Sequence, residues 1–168
     1  MSAKPKKIVT GFTIVELLLA LAMAALLLTA VAAAFNASVT NYRENEDIFK
    51  AINNARQALF RITTQLRTAA AVDPNAPANE CTLITAGGQD LTYRYDSTEN
   101  KLYLITNDDL TDSDYVLCDK ITALTFTKDI ATEDSVTYVK SVLISITIQS
   151  GSVQQSVSAA AVVRRNLK

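Results

Sequence analysis

Gly11-Phe12-Thr13-Ile14-Val15-Glu16-Leu17-Leu18-Leu19-Ala20 opens the longest apolar run of the chain. From Phe12 to Phe35 there are 24 residues, of which 21 are apolar; the exceptions are Thr13, Glu16 and Thr29. At about 1.5 Å per residue, a helix of this length spans about 36 Å, against about 30 Å for the hydrocarbon core of a bilayer. No Gly or Pro interrupts the run, so nothing in it breaks a helix. Lys4, Lys6 and Lys7 precede it. By the positive-inside rule they hold the N-terminus on the cytoplasmic side of a membrane, with the rest of the chain outside.

Two ordinary readings compete for such a segment. A secretory signal peptide has a charged start and an apolar core, but this run is longer than the usual core. It also dissolves into Phe35-Asn36-Ala37-Ser38 without a clean small-residue cleavage site. A plain membrane anchor has no use for Glu16, a carboxylate near the cytoplasmic end of the apolar run. At mid-membrane such a group costs on the order of 2–3 kcal/mol, and less near the interface. Glu16 therefore calls for a partner.

Composition removes other classes. The chain has 168 residues, no His and two Cys. The absence of His excludes imidazole-based triads and His-ligated metals, and two Cys cannot build a Cys-only zinc site or an iron–sulfur cluster. A formal net charge of −1 lacks the basic balance of a dedicated nucleic-acid binder, so no nucleic-acid partner is expected. There is no Gly-x-Ser-x-Gly elbow and no Gly-rich phosphate loop. The expectation is a protein that is not an enzyme and needs no cofactor.

The segment Gly11-Phe12-Thr13-Ile14-Val15-Glu16, with a short basic leader before it and an apolar helix after it, resembles the signal of type IV pilins and pseudopilins. The resemblance implies that a prepilin peptidase of the inner membrane cuts after Gly11. It then removes residues 1–11 and methylates the new amine of Phe12. It implies that the family's acidic residue is Glu16, and that subunits pass from membrane lipid into a filament through an inner-membrane assembly platform. In that filament Glu16 of one subunit would accept a charge-assisted hydrogen bond from the Phe12 ammonium of the next, which lowers the cost of burying both. Gly11, lacking a side chain, would let the protease approach the backbone closely. The chain departs from many major pilins in one respect: Val31-Ala32-Ala33-Ala34 stands where they carry a Pro.

Beyond Asn36 the helical pattern becomes amphipathic. Ile48, Ile52, Ala55, Leu59, Ile62, Leu66 and Ala69 recur at spacings of four and three, which is one apolar stripe. The first breaker is Pro74. A coiled-coil seam would produce the same stripe, but the strand-rich segment that follows favours a helix laid on a sheet. The turn residues Asp73 to Asn79 introduce that segment. Strands are expected at 81–85, 91–95, 101–106, 115–118, 121–127, 142–149 and 153–163. The polar turn Asp96-Ser97-Thr98-Glu99-Asn100 closes a hairpin between the second and third of them. The fold class is thus α+β: a long N-terminal helix packed on an antiparallel sheet with one buried face. The expected division is a leader (1–11), a membrane or filament-core helix (12–35), an amphipathic helix (36–72) and a β-rich head (73–168).

The order of the head's strands, ending Val162-Val163-Arg164-Arg165-Asn166, resembles PilW-type minor pilins and is also similar to the J-type pseudopilin of type II secretion; competence pseudopilins share the plan. The expected function is a structural subunit that helps to initiate a type IV pilus or a type II secretion pseudopilus. Other minor and major pilins or pseudopilins would be its partners. The alternative is an anchored extracytoplasmic adhesin or ligand-binding or signalling domain outside any filament. Two further features belong to the head. Cys81 and Cys118 could form a disulfide if the head lies outside the cytoplasm, and unpaired buried thiols are the other reading. Asp108, Asp109, Asp112 and Asp114 could offer oxygen ligands to calcium. They lack the Gly and distal Glu of an EF-hand, so a solvated acidic turn is favoured over a metal site.

Overall fold

A single α-helix, α1 (Ile14–Thr68), carries both the apolar run and the amphipathic stripe. The computed structural model describes residues 11–109, 114–133 and 135–164. Lys4, Lys6, Lys7, Asp112 and the Arg165-Asn166 pair lie outside the described residues. The chain divides into two units, the first ending at Arg43 and the second beginning at Glu44.

In the first unit the helix is unburied. The large apolar side chains from Phe12 to Phe35 are between 58% and 83% exposed. By length and composition this is a helix able to cross a membrane.

In the second unit the same helix becomes a core element. Ile48, Ala55, Leu59, Ile62 and Leu66 are buried, with Ile62 and Leu66 fully so, and Ile52 packs against them at the edge. Ala51, Ala58 and Thr63 are buried as well, which widens the stripe. The small alanines let a sheet approach the helix backbone closely, and Thr63 answers its own burial by donating to the Leu59 carbonyl at 2.8 Å.

The head holds eight strands: β1 (Ala71–Val72), β2 (Glu80–Ile84), β3 (Asp90–Asp96), β4 (Lys101–Thr106), β5 (Tyr115–Cys118), β6 (Ile121–Glu133), β7 (Val136–Ser150) and β8 (Val153–Val162). Every pairing is antiparallel. The expected single sheet is in fact two, β1-β2-β3-β4-β5 and β6-β7-β8. The break falls at Asp119-Lys120. Lys120 adopts a positive φ of 57°, which turns the chain out of the first sheet, and its carbonyl accepts the Gln149 amide of the second. Tyr95 on β3 ties the two together by donating its hydroxyl to the Ile121 carbonyl at 3.1 Å.

The helix ends at Thr68, short of the expected residue 72 and before any Gly or Pro. Competition for hydrogen bonds stops it. The Ala70 amide donates to the Ile84 carbonyl at 2.8 Å, and Ala71–Val72 pair with Ile84 and Leu83 as β1. The β6–β7 hairpin runs six residues further on the β6 side than the pattern at 121–127 suggested, reaching Glu133. Ser135 at its tip takes a positive φ of 65°.

The alternation in the last two strands does place one face inward. Val142, Ile144, Ile146 and Ile148 are fully buried, and Val153, Val157, Ala159, Ala161 and Val163 lie buried or packed against them. Tyr93 anchors the first sheet to the helix, since its buried hydroxyl donates to the Gln65 side-chain oxygen.

Candidate assembly segment at the start of the helix

The residues around the expected cleavage point form a helix start. Thr13 is the N-cap of α1 and its carbonyl accepts the Leu17 amide at 3.1 Å. Its hydroxyl accepts the Glu16 amide at 3.3 Å, while Glu16 Oε2 accepts from both the Thr13 amide and the Thr13 hydroxyl at 3.5 Å. Thr13-Ile14-Val15-Glu16 is therefore a capping box, in which two side chains reciprocally satisfy amides that the helix leaves unpaired. The sequence carries the signal as Thr-x-x-Glu ahead of an apolar run. Glu16 thus has a local partner, and a carboxylate in the first turn also suits the positive end of the helix dipole. The box is long by hydrogen-bond standards, which leaves the Glu16 oxygens able to accept stronger donors.

Gly11 and Phe12 precede the cap and are exposed, Phe12 by 83%. A Cβ added to Gly11 would meet nothing within 4 Å. The described residues thus make no packing demand for glycine there.

The cysteines do not come together. Both are buried and reduced. Cys81 sits on β2 and Cys118 on β5, with β3 and β4 between them in the sheet. Three inter-strand spacings of about 4.8 Å separate their strands by about 14 Å, while a disulfide needs Cα atoms within about 7 Å. The possible disulfide is therefore corrected to two separate core thiols. Burial pushes each thiol up to about 11, so neither is a nucleophile near neutral pH.

The acidic turn is used piecemeal. Asp108 Oδ2 accepts the Asp90 amide at 2.8 Å, and Asp114 Oδ2 pairs with Arg94 Nη2 at 3.0 Å. The Asp109 amide closes the turn onto the Thr106 carbonyl. Among the described residues no three potential ligands converge into a metal site. The β3–β4 turn behaves as expected from its residues. Asp96 Oδ1 accepts the Thr98 and Glu99 amides, which holds its carboxyl below the usual range, and Asn100 takes a positive φ of 58°.

No family model, no curated protein and no solved structure matches this chain.

Proposed function

We propose that the chain is a minor pilin or pseudopilin, a subunit that is stored in the inner membrane with its head outside the cytoplasm, processed after Gly11 and assembled into a type IV pilus or type II secretion pseudopilus. The observation that carries this reading is the pairing of one short motif with one divided helix. The motif Gly11-Phe12-Thr13-Ile14-Val15-Glu16 stands at the cap of α1. The helix is unburied and apolar up to Phe35 and core-forming from Ile48. An apolar stem that none of the described residues covers calls for lipid or other stems around it.

Cleavage after Gly11 creates an ammonium on Phe12. In a neighbouring subunit the Glu16 carboxylate, held in its capping box at 3.5 Å, would exchange these long contacts for a charge-assisted bond of about 2.7–2.9 Å to that ammonium. The unhindered surroundings of Gly11 fit a glycine required by an approaching protease rather than by the fold. Separated, buried thiols also suit a head exposed to an oxidising compartment, because neither can be drawn into a disulfide without unfolding.

Mass spectrometry of the mature N-terminus tests the reading: the chain should begin at N-methylated Phe12 in cells that hold the peptidase. Residues 1–11 still attached in those cells would overturn it and leave an anchored binding domain. The variant Glu16→Ala should be processed normally yet enter filaments at least tenfold less. Parental incorporation would remove the pairing role from Glu16.

A further inference from the structure

The two sheets of the head have four edge strands, β1, β5, β6 and β8, and three of them carry some protection against pairing. β1 has only two residues. β5 has four and a register shift against β4. β6 is covered by the loop before β2, since the Phe126 amide donates to the Ala78 carbonyl at 2.7 Å and Lys128 Nζ to the Ala76 carbonyl at 2.5 Å. β8 has none of these devices. Its ten residues pair with β7 in unbroken register and include no charge, Pro or Gly. Among the described residues no backbone bond reaches its outer side. A long, regular, uncharged edge is a template for another strand.

The direction of the edges selects the strand. β8 follows α1 in the same sense. Gly151, just before it, lies against the Glu44 carboxyl group, where an added Cβ would come within 2.9 Å. Val157 shares a groove with Thr63, and Arg164, just after β8, shares a cleft with Arg67. β5 runs the opposite way. Its Tyr115 lies under Arg61, 5.9 Å from the ring centre, and Lys120, just after β5, pairs with Asp47 at 3.5 Å. The two edges also border opposite flanks of α1. Ile62 is fully buried, and Arg61 and Thr63 stand about 100° to either side of it. Subunits whose stems all point the same way, placed side by side, therefore bring β5 of one against β8 of the next as antiparallel strands. Two copies of β8 could pair antiparallel only with their stems reversed, which one membrane does not allow.

Hydrogen-bond phase and charge then select the register. The Val163 amide donates to the Lys140 carbonyl at 2.9 Å, so by alternation Val162 points its N–H and C=O away from β7. The Asn107 amide donates to the Asp90 carbonyl at 2.9 Å, which turns Leu104 toward β5. Leu104 faces Tyr115, so Val116 is the β5 residue that points its N–H and C=O outward. Val116 and Val162 are 42% and 60% exposed. The geometry points to a second copy of this chain that sets Val116 of its β5 opposite Val162 of β8. The two residues exchange both backbone hydrogen bonds and bring their apolar side chains together. In the same register Asp114 of one copy stands opposite Arg164 of the other. Asp114 already holds Arg94 through Oδ2 and has a second oxygen to accept a guanidinium, while Arg164 is in none of the ion pairs of the described residues. The contact is head-to-tail: each copy offers β8 to one neighbour and β5 to another, so it repeats from subunit to subunit. The inference rests on the filament reading, which aligns the stems, and specifies how neighbouring heads join.

Cross-linking in cells that overproduce and assemble the full chain tests it. A short thiol-specific cross-linker is added after assembly, and the buried Cys81 and Cys118 stay out of the reaction. A chain carrying both Val116→Cys and Val162→Cys should give a ladder of dimers, trimers and longer products. Either variant alone should give at least tenfold less dimer. A second arm uses the backbone. Val162→Pro removes the outward N–H at a position where an edge strand tolerates Pro, so the head's thermal transition should stay in place while incorporation falls severalfold. A third arm uses charge and keeps the test open if Pro disturbs the head: Arg164→Asp should lower incorporation severalfold, and adding Asp114→Arg should restore it.

Single variants that dimerise as well as the double variant, a double variant that stops at dimers, cross-links only to a chain of another mass, parental incorporation of Val162→Pro, or no rescue by the charge swap would each overturn the inference. The mature N-terminus and filament incorporation are read in the same cells. Incorporation of a processed chain without the 116–162 ladder sinks this inference alone, whereas an unprocessed, unincorporated chain sinks the filament reading and this contact with it.

Discussion

The two halves of α1 share a backbone conformation and differ in almost everything else. Up to Phe35 the helix is an apolar stem whose large side chains are exposed; from Ile48 it presents buried residues to the head. Leu19 is 62% exposed and Ile62 is fully buried, yet both are aliphatic residues in one helix. Side-chain chemistry alone therefore does not decide what a helical residue does. In the second half the covering surface belongs to the same chain, and in the first half none of the described residues supplies one.

Matched truncations expose that difference most directly. Ile62→Ala should destabilise the head by about 3–4 kcal/mol, from lost burial and the cavity left behind. Leu19→Ala in detergent should move the same thermal transition by less than about 0.5 kcal/mol, since exposed substitutions have small effects. Comparable shifts in thermal melts of the two variants would break the contrast between stem and head.

Alkaline pH separates the halves next, because both thiols lie in the head. In the unfolded chain a thiol ionises near 9.0, and in the fold each rises to about 11. Between these values the unfolded state has released protons that the folded state still holds, so stability falls as pH rises. The contribution is intact below pH 9 and is lost by about pH 11, at most about 2–3 kcal/mol per thiol. Cys81→Ala should flatten the decline in head stability between pH 8 and pH 11, measured as urea midpoints. An unchanged slope would show that Cys81 ionises freely in the fold.

The smallest expected effect concerns the stem's own start. Thr13→Val removes the cap and should cost about 1 kcal/mol of local helix stability, read as faster amide exchange over residues 14–17 in detergent. The head's exchange should be untouched. Unaltered exchange at 14–17 would mean that the box contributes nothing to the helix.

Much of this architecture was open to reading from local pattern. The stripe Ile48 to Ala69 and the alternation Val142 to Ile148 each mark a buried face through a period that matches a regular element. Every strand expected from the sequence is present, and the Asp96–Asn100 turn forms from the residues that suggested it. What escaped is what depends on a remote competitor. The helix stops at Thr68 because Ile84 captures the Ala70 amide, and no residue near Thr68 announces that. The extended β6–β7 hairpin was masked by polar residues, since only one side of its exposed arm contributes core. At the candidate site the residues Gly11, Phe12 and Glu16 were named from the motif. The cap linking Thr13 to Glu16 is equally local, since its Thr-x-x-Glu spacing lies within the same six residues.

Periodicity and the cost of placing charge in an apolar setting are enough to mark a stem of membrane-spanning length, a single carboxylate within it and a strand-rich head. The division of the strands into two sheets and the separation of Cys81 from Cys118 by three inter-strand spacings come from long-range pairing. Long-range packing also leaves Phe49 and Phe60 exposed among the described residues. Each of these depends on which distant segment captures a given backbone edge or helix face, and a local pattern does not encode that choice.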